Sequence, residues 1–137
     1  MRALSRKQNS VRVALVGVTC LLIAVSFPHA LEDFHYGDLM RLGIPATTSY
    51  VLLATAYALQ VIGIALTLRG SASGVVLLGA MGAVWCLGAV FVHGRDMLFA
   101  GPTYRHGVLS RSLESLIIVL GMLAAGLAVR LRVTAAS

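Results

Sequence analysis

The sequence predicts an all-α membrane protein: a four-transmembrane-helix antiparallel bundle with a short interfacial helix in the first outer loop. Three observations carry that expectation. The 137 residues are 58 % hydrophobic and only 12 % charged, with a mean hydropathy of +0.89, whereas soluble domains carry about 25 % charged residues. Four stretches, Val13–Phe27, Tyr50–Leu68, Gly74–Val92 and Ser115–Val129, contain no charge, and with their flanks each approaches the roughly 20 residues a helix needs to cross hydrocarbon. None shows the polar face at a 3.6-residue period that a soluble bundle would carry.

The first helix follows a basic segment, residues 1–12, with Arg2, Arg6, Lys7 and Arg12. Such a start also opens signal peptides, but this run leads into Phe27-Pro28-His29 rather than a small-residue cleavage site, so it is expected to stay in the mature chain. The second and third helices are joined by Arg69-Gly70-Ser71-Ala72-Ser73-Gly74, rich in residues that end helices, which makes them an antiparallel hairpin. The fourth helix runs into Arg130 and Arg132, closing a transmembrane domain over 13–132, and 133–137 form a short tail.

Seven positive charges, on Arg2, Arg6, Lys7, Arg12, Arg69, Arg130 and Arg132, fall on one side of a four-pass chain with no acid among them. The positive-inside rule makes that side cytoplasmic, so both termini are expected inside a cell inner membrane. The net charge of +6 and pI near 10.2 are then a matter of topology. The basic side would meet lipid headgroups, and nucleic acid is not expected as a partner. Cys20 and Cys86 lie within apolar runs without CxxC spacing and read as small apolar residues.

Two long outer connections remain, about 22 residues each, Pro28–Ser49 and His93–Glu114. Loops of that length are uncommon without a function. Leu31, Phe34, Leu39, Leu42 and Ile44 suggest the interfacial helix, ended by Gly43 with Pro45 behind it.

The chemistry gathers on this outer side. All five acids (Glu32, Asp33, Asp38, Asp96, Glu114) and all four histidines (His29, His35, His93, His106) belong to it. Four arginines stand against the five acids, a net −1 with neutral imidazoles. His29 follows the first run and His93 ends the third, two helices that lie diagonally in an up-down bundle. If the chain stays helical past Pro28, His29 and Asp33 share a face at i, i+4 with Glu32 beside them. Imidazoles next to carboxylates are what a metal ligand set, or a histidine tuned for proton transfer, requires. The candidate ligands are His29, Asp33, Glu32 and His93, with His35 and His106 as further members. One shared ion would bring the His29 and His93 nitrogens to roughly 3–4 Å. Haem held by the same two histidines ranks lower, because haem-binding bundles usually place their ligands deeper. The competing reading makes the histidines interfacial anchors and the acid–arginine pairs solvated surface.

Within the membrane, Gln60 and Tyr57 lie one turn apart and could glue helices or face a quinone carbonyl. Trp85 is expected to pack. Glu114 is explained by the N-terminal dipole of the fourth helix with Ser112 as cap.

The segment leading into Leu42-Gly43-Ile44-Pro45, the run Ala58-Leu59-Gln60-Val61-Ile62-Gly63-Ile64-Ala65-Leu66, Leu68-Arg69-Gly70, and a third helix ending at His93 resemble the DoxX-like family of small four-helix membrane proteins. Gln60 stands where members often carry Glu. The resemblance implies the four-helix fold and an association with membrane redox complexes, such as the membrane part of thiosulfate:quinone oxidoreductase. It assigns no catalytic residue. The expected function is an integral membrane subunit of a redox system, with metal or quinol at the outer mouth and other membrane proteins as partners. The alternative is a non-enzymatic accessory or assembly subunit.

Overall fold

The computed structural model describes residues 6–99 and 107–136. Five helices follow one another: α1 (Arg6–Tyr36), α2 (Asp38–Arg41), α3 (Ala46–Leu68), α4 (Ala72–Phe99) and α5 (Gly107–Ala136). All except α2 are long and apolar enough to cross a membrane. At 1.5 Å per residue the 31 residues of α1 extend about 46 Å, well beyond the roughly 30 Å of hydrocarbon.

A seam marked by polarity and small size, rather than by hydrophobicity, organises the bundle. On α5 the buried residues are Ser110, Glu114, Ile117, Gly121, Ala124, Ala128 and Leu131, spaced alternately four and three apart. On α1 the same alternation runs through Leu15, Thr19, Leu22, Ser26 and His29. On α3 it includes Ser49, Gln60, Gly63 and Thr67. The outward faces carry large apolar residues such as Leu21, Val51, Leu87 and Phe91. Lipid is as apolar as leucine, so small residues let helices approach and polar residues go where another helix can satisfy them. The polar face missing from the runs is therefore turned inward and thinly populated.

The helices form a ring. Tyr57 on α3 donates to the Ser26 hydroxyl on α1 at 3.3 Å, and Trp85 on α4 donates to Gln60 on α3 at 3.0 Å. Gly82 on α4 lies against Gly121 and Ala124 on α5, and Gln8 on α1 donates to the Thr134 carbonyl on α5 at 3.0 Å. A Cβ on Gly82 would stand 2.7 Å from the Gly121 carbonyl oxygen, so the α4–α5 seam admits only glycine there. Gly63 is equally tight, 2.5 Å from Leu78 by the same measure, and Gly74 presses on Thr67. These contacts draw α3 and α4 together at the end that carries their turn.

Helix boundaries differ from the sequence expectation. α1 does not end at Phe27; it continues through Pro28 to Tyr36, so Leu31 and Phe34 belong to it. Proline costs one backbone hydrogen bond, a loss that packed transmembrane helices tolerate. α4 runs six residues past His93, to Phe99. The first connection is accordingly residues 37–45, with the four-residue α2 inside it. The turn after α2 closes as expected at Gly43, with φ 81°, its N–H donating to Met40 and that of Ile44 to Leu39. The α3–α4 turn repeats this pattern at Gly70, φ 86°, through Thr67 and Leu66. Both are the glycine-capped ending in which the left-handed residue lets two amides reach back to the last helical carbonyls. Cys20 and Cys86 are both free thiols.

Candidate metal centre

Continuation of α1 through Pro28 creates the site. With the helix intact, His29 and Asp33 lie on one face, and that face meets the inward face of α4 at His93. Both imidazoles are buried, with about 5 % of their surface exposed. Their Nε2 atoms are 3.3 Å apart and the rings meet edge to face at 4.9 Å between centroids. Asp33 offers one oxygen to each: Oδ2 is 3.3 Å from His93 Nε2 and Oδ1 is 3.5 Å from His29 Nε2. One ligand atom from each of His29, Asp33 and His93 can be chosen so that all lie within 4.8 Å of one another.

Two further carboxylates address the opposite ring nitrogens. Glu114, on α5 and fully buried, places Oε1 3.3 Å from His93 Nδ1 and 3.9 Å from His29 Nε2. Ser110, one turn earlier, donates to the same oxygen at 3.5 Å. Glu32 Oε2 is 3.6 Å from His29 Nδ1, outside hydrogen-bonding reach, which leaves His29 Nδ1 and Asp33 Oδ1 as buried polar atoms without a hydrogen-bond partner. Such atoms are expensive in a low-dielectric interior, so the cluster has capacity for a further ligand, proton or ion.

Glu114 is the member that sequence reasoning missed. The expected capping by Ser112 is replaced by a helix that starts at Gly107, five residues before it, and Ser112 donates back to the Val108 carbonyl inside it. Glu114 is thus two turns into α5. Its place on the four–three seam, between Ser110 and Ile117, is the signal that could have identified it.

The other candidates divide. His35 is exposed and packs its ring against Tyr36, away from the cluster. His106 lies outside the described residues. Gln60 and Tyr57 do not pair with each other: Gln60 accepts from Trp85, and Tyr57 donates to Ser26 while its ring lies tilted against Trp85, 5.2 Å between centroids. Asp38 pairs with Arg41 at 3.6 Å on the short α2.

A cavity of about 280 Å³ leads to the cluster. His29, Asp33 and His93 are at one end, and the remaining lining is apolar, from Leu39, Leu52, Leu53, Ala56, Val84, Gly88 and their neighbours, with Trp85 as an aromatic wall. Gln60 and Tyr57 are not part of the lining. No family model, curated protein or solved structure matches the chain.

Proposed function

We propose that this chain is a multi-pass membrane protein that binds one divalent transition-metal ion through His29, His93 and Asp33 and serves a membrane redox system. The observation that supports the metal is the triangle of ligand atoms. The two Nε2 atoms are 3.3 Å apart, and Asp33 meets them through different oxygens, Oδ2 at 3.3 Å from His93 and Oδ1 at 3.5 Å from His29, with one ligand atom from each residue within 4.8 Å of the others. An ion with tetrahedral bonds of about 2.0–2.1 Å separates its ligands by roughly 3.3–3.4 Å. Two imidazoles on opposite faces of a haem would instead stand roughly 4 Å apart with the macrocycle between them, and the 3.3 Å gap leaves no such space.

Glu114 completes the reading as the partner of a ligating ring, its Oε1 3.3 Å from His93 Nδ1, while Glu32 stands 3.6 Å from His29 Nδ1 without bonding it. A histidine that binds metal through one nitrogen almost always gives its other N–H to a carboxylate or carbonyl, which fixes tautomer and orientation. Three protein ligands leave a fourth position, the pattern of reactive rather than purely structural centres. The redox setting is supported by the resemblance of roughly residues 15–125 to DoxX-like proteins and by a site chemistry that suits a redox-active ion or a quinol.

In the same reading the long helices alternate in direction. The termini and the Gly70 turn face the cytoplasm, where the arginines gather, and α2 rests at the opposite interface.

Elemental analysis of protein purified in nanodiscs and reloaded with zinc or cobalt tests the centre. One equivalent per chain is expected, lost in His29→Ala and His93→Ala and retained in His35→Ala. Equal metal content in wild type and His93→Ala would overturn it.

A further inference from the structure

We propose that the cavity beside the cluster receives, from the bilayer, an uncharged lipid-soluble molecule with an aromatic hydroxyl head, of the phenol or hydroquinone class. The mouth of the cavity carries the argument. Leu52 on α3 and Val84 on α4 line it, yet are 57 % and 56 % exposed. Gly88, one turn beyond Val84, is exposed as well, and a Cβ there would meet no atom within 4 Å. An exposed apolar flank on a transmembrane helix faces acyl chains, so the opening is lateral. The tight glycine contacts of α3 with α4 are confined to Gly63 and Gly74, and beyond Gln60 the two helices are parted by the cavity.

The lining selects the ligand. Polar groups occur only at the His29–Asp33–His93 end, which suits a molecule with one polar head and an apolar body. Among the described residues no lysine or arginine lines the cavity, and Asp33, with Glu32 and Glu114 beside the imidazoles, opposes the negative charge of lipid phosphates and carboxylates. The indole of Trp85 offers an aromatic face along the wall, favouring a planar ring. This inference rests on the metal reading in one respect. With an ion held by Asp33 and the imidazoles, an ammonium head is repelled while a hydroxyl oxygen can approach the fourth position.

Trp85 is the sole tryptophan in the chain, so its fluorescence reports on the cavity without reference to metal. The cobalt-loaded protein in phosphatidylcholine nanodiscs is titrated with a meta-brominated nonylphenol, the bromine quenching the indole. The comparison compounds are the same molecule without the hydroxyl and a brominated nonylbenzylamine, which is an ammonium ion at neutral pH. Saturable quenching is expected for the phenol, at an about tenfold lower content than for the compound lacking the hydroxyl, the difference one charge-assisted hydrogen bond supplies. Gly88→Phe should remove the saturable component while its cobalt content stays at the wild-type level. Quenching that rises linearly with bilayer content for all three compounds, or that saturates best for the amine, would overturn the inference. A protein that holds no cobalt yet quenches saturably with the phenol would overturn the metal centre alone.

Discussion

His93 Nδ1 lies 3.3 Å from Oε1 of Glu114, a carboxylate with no exposed surface on the neighbouring α5. The contact turns the other ring nitrogen toward His29 and Asp33. Glu114→Gln retains an acceptor of similar shape but loses the charge. It should bind zinc or cobalt about 10–100-fold more weakly than wild type, as second partners of ligating histidines do. Titration against a competing chelator measures this. Unchanged affinity would place Glu114 outside the centre.

Metal binding should be visible as stability. An ion that binds only the folded state adds about 2.7 kcal/mol at a free concentration 100 times Kd. Wild-type protein in detergent should melt higher when zinc is added and lower after chelation. His93→Ala should show neither response. A zinc-dependent rise of equal size in that variant would assign the effect to other groups.

The glycine seam gives opposite expectations for two glycines on α4. Gly82→Ala drives a methyl group to 2.7 Å from the Gly121 oxygen and should destabilise the bundle by about 1–3 kcal/mol, the usual cost of overpacking. Gly88→Ala meets open space and should be neutral or slightly stabilising, since alanine is the better helix former. Thermal unfolding in one detergent ranks the two, and a reversed order would contradict the packing.

Trp85 and Gln60 join α4 to α3 by a partly buried hydrogen bond of 3.0 Å. Single changes to Phe and Leu and their combination form a double-mutant cycle. The coupling expected for such bonds between transmembrane helices is about 0.6 kcal/mol. A coupling indistinguishable from zero would mean that neither side chain depends on the other.

Orientation can be checked with single cysteines in a Cys20→Ala, Cys86→Ala background. Probes at Ser71 and Thr134 should react with a membrane-impermeant maleimide only when the cytoplasmic face is open, and a probe at Leu42 only from the opposite face. Labelling of Ser71 and Leu42 from one side would exclude the four-pass arrangement.

The membrane architecture was legible because hydropathy is summed over twenty residues and is insensitive to boundaries. The approach of His29 to His93 was legible for the same reason: both stand near the end of an apolar run on the same side. Boundaries were not. Pro28 and the charges that follow it imply an exit from the helix, yet the chain stays helical to Tyr36, because Asp33 and His29 find partners on α4. The same error, at the start of α5, hid Glu114. A charge near an apolar run reads as its edge, whereas here it belongs to the seam. The inward faces were also obscured because glycine, alanine and serine contrast only weakly with leucine and valine on a hydropathy scale, although they differ greatly in size.

The cluster draws on residues 29, 33, 93 and 114, so it cannot exist until α5 has been synthesised. Before α5 arrives, Asp33 and His93 stand at a groove with one wall absent, and a lone acid within hydrocarbon is penalised by roughly 2.5–3.5 kcal/mol. The last helix brings a carboxylate that its own insertion alone would disfavour, and finds two imidazoles waiting for it. Order of assembly is thereby written into the polar groups: the first and third crossings wait incomplete, and the fourth acts as the latch.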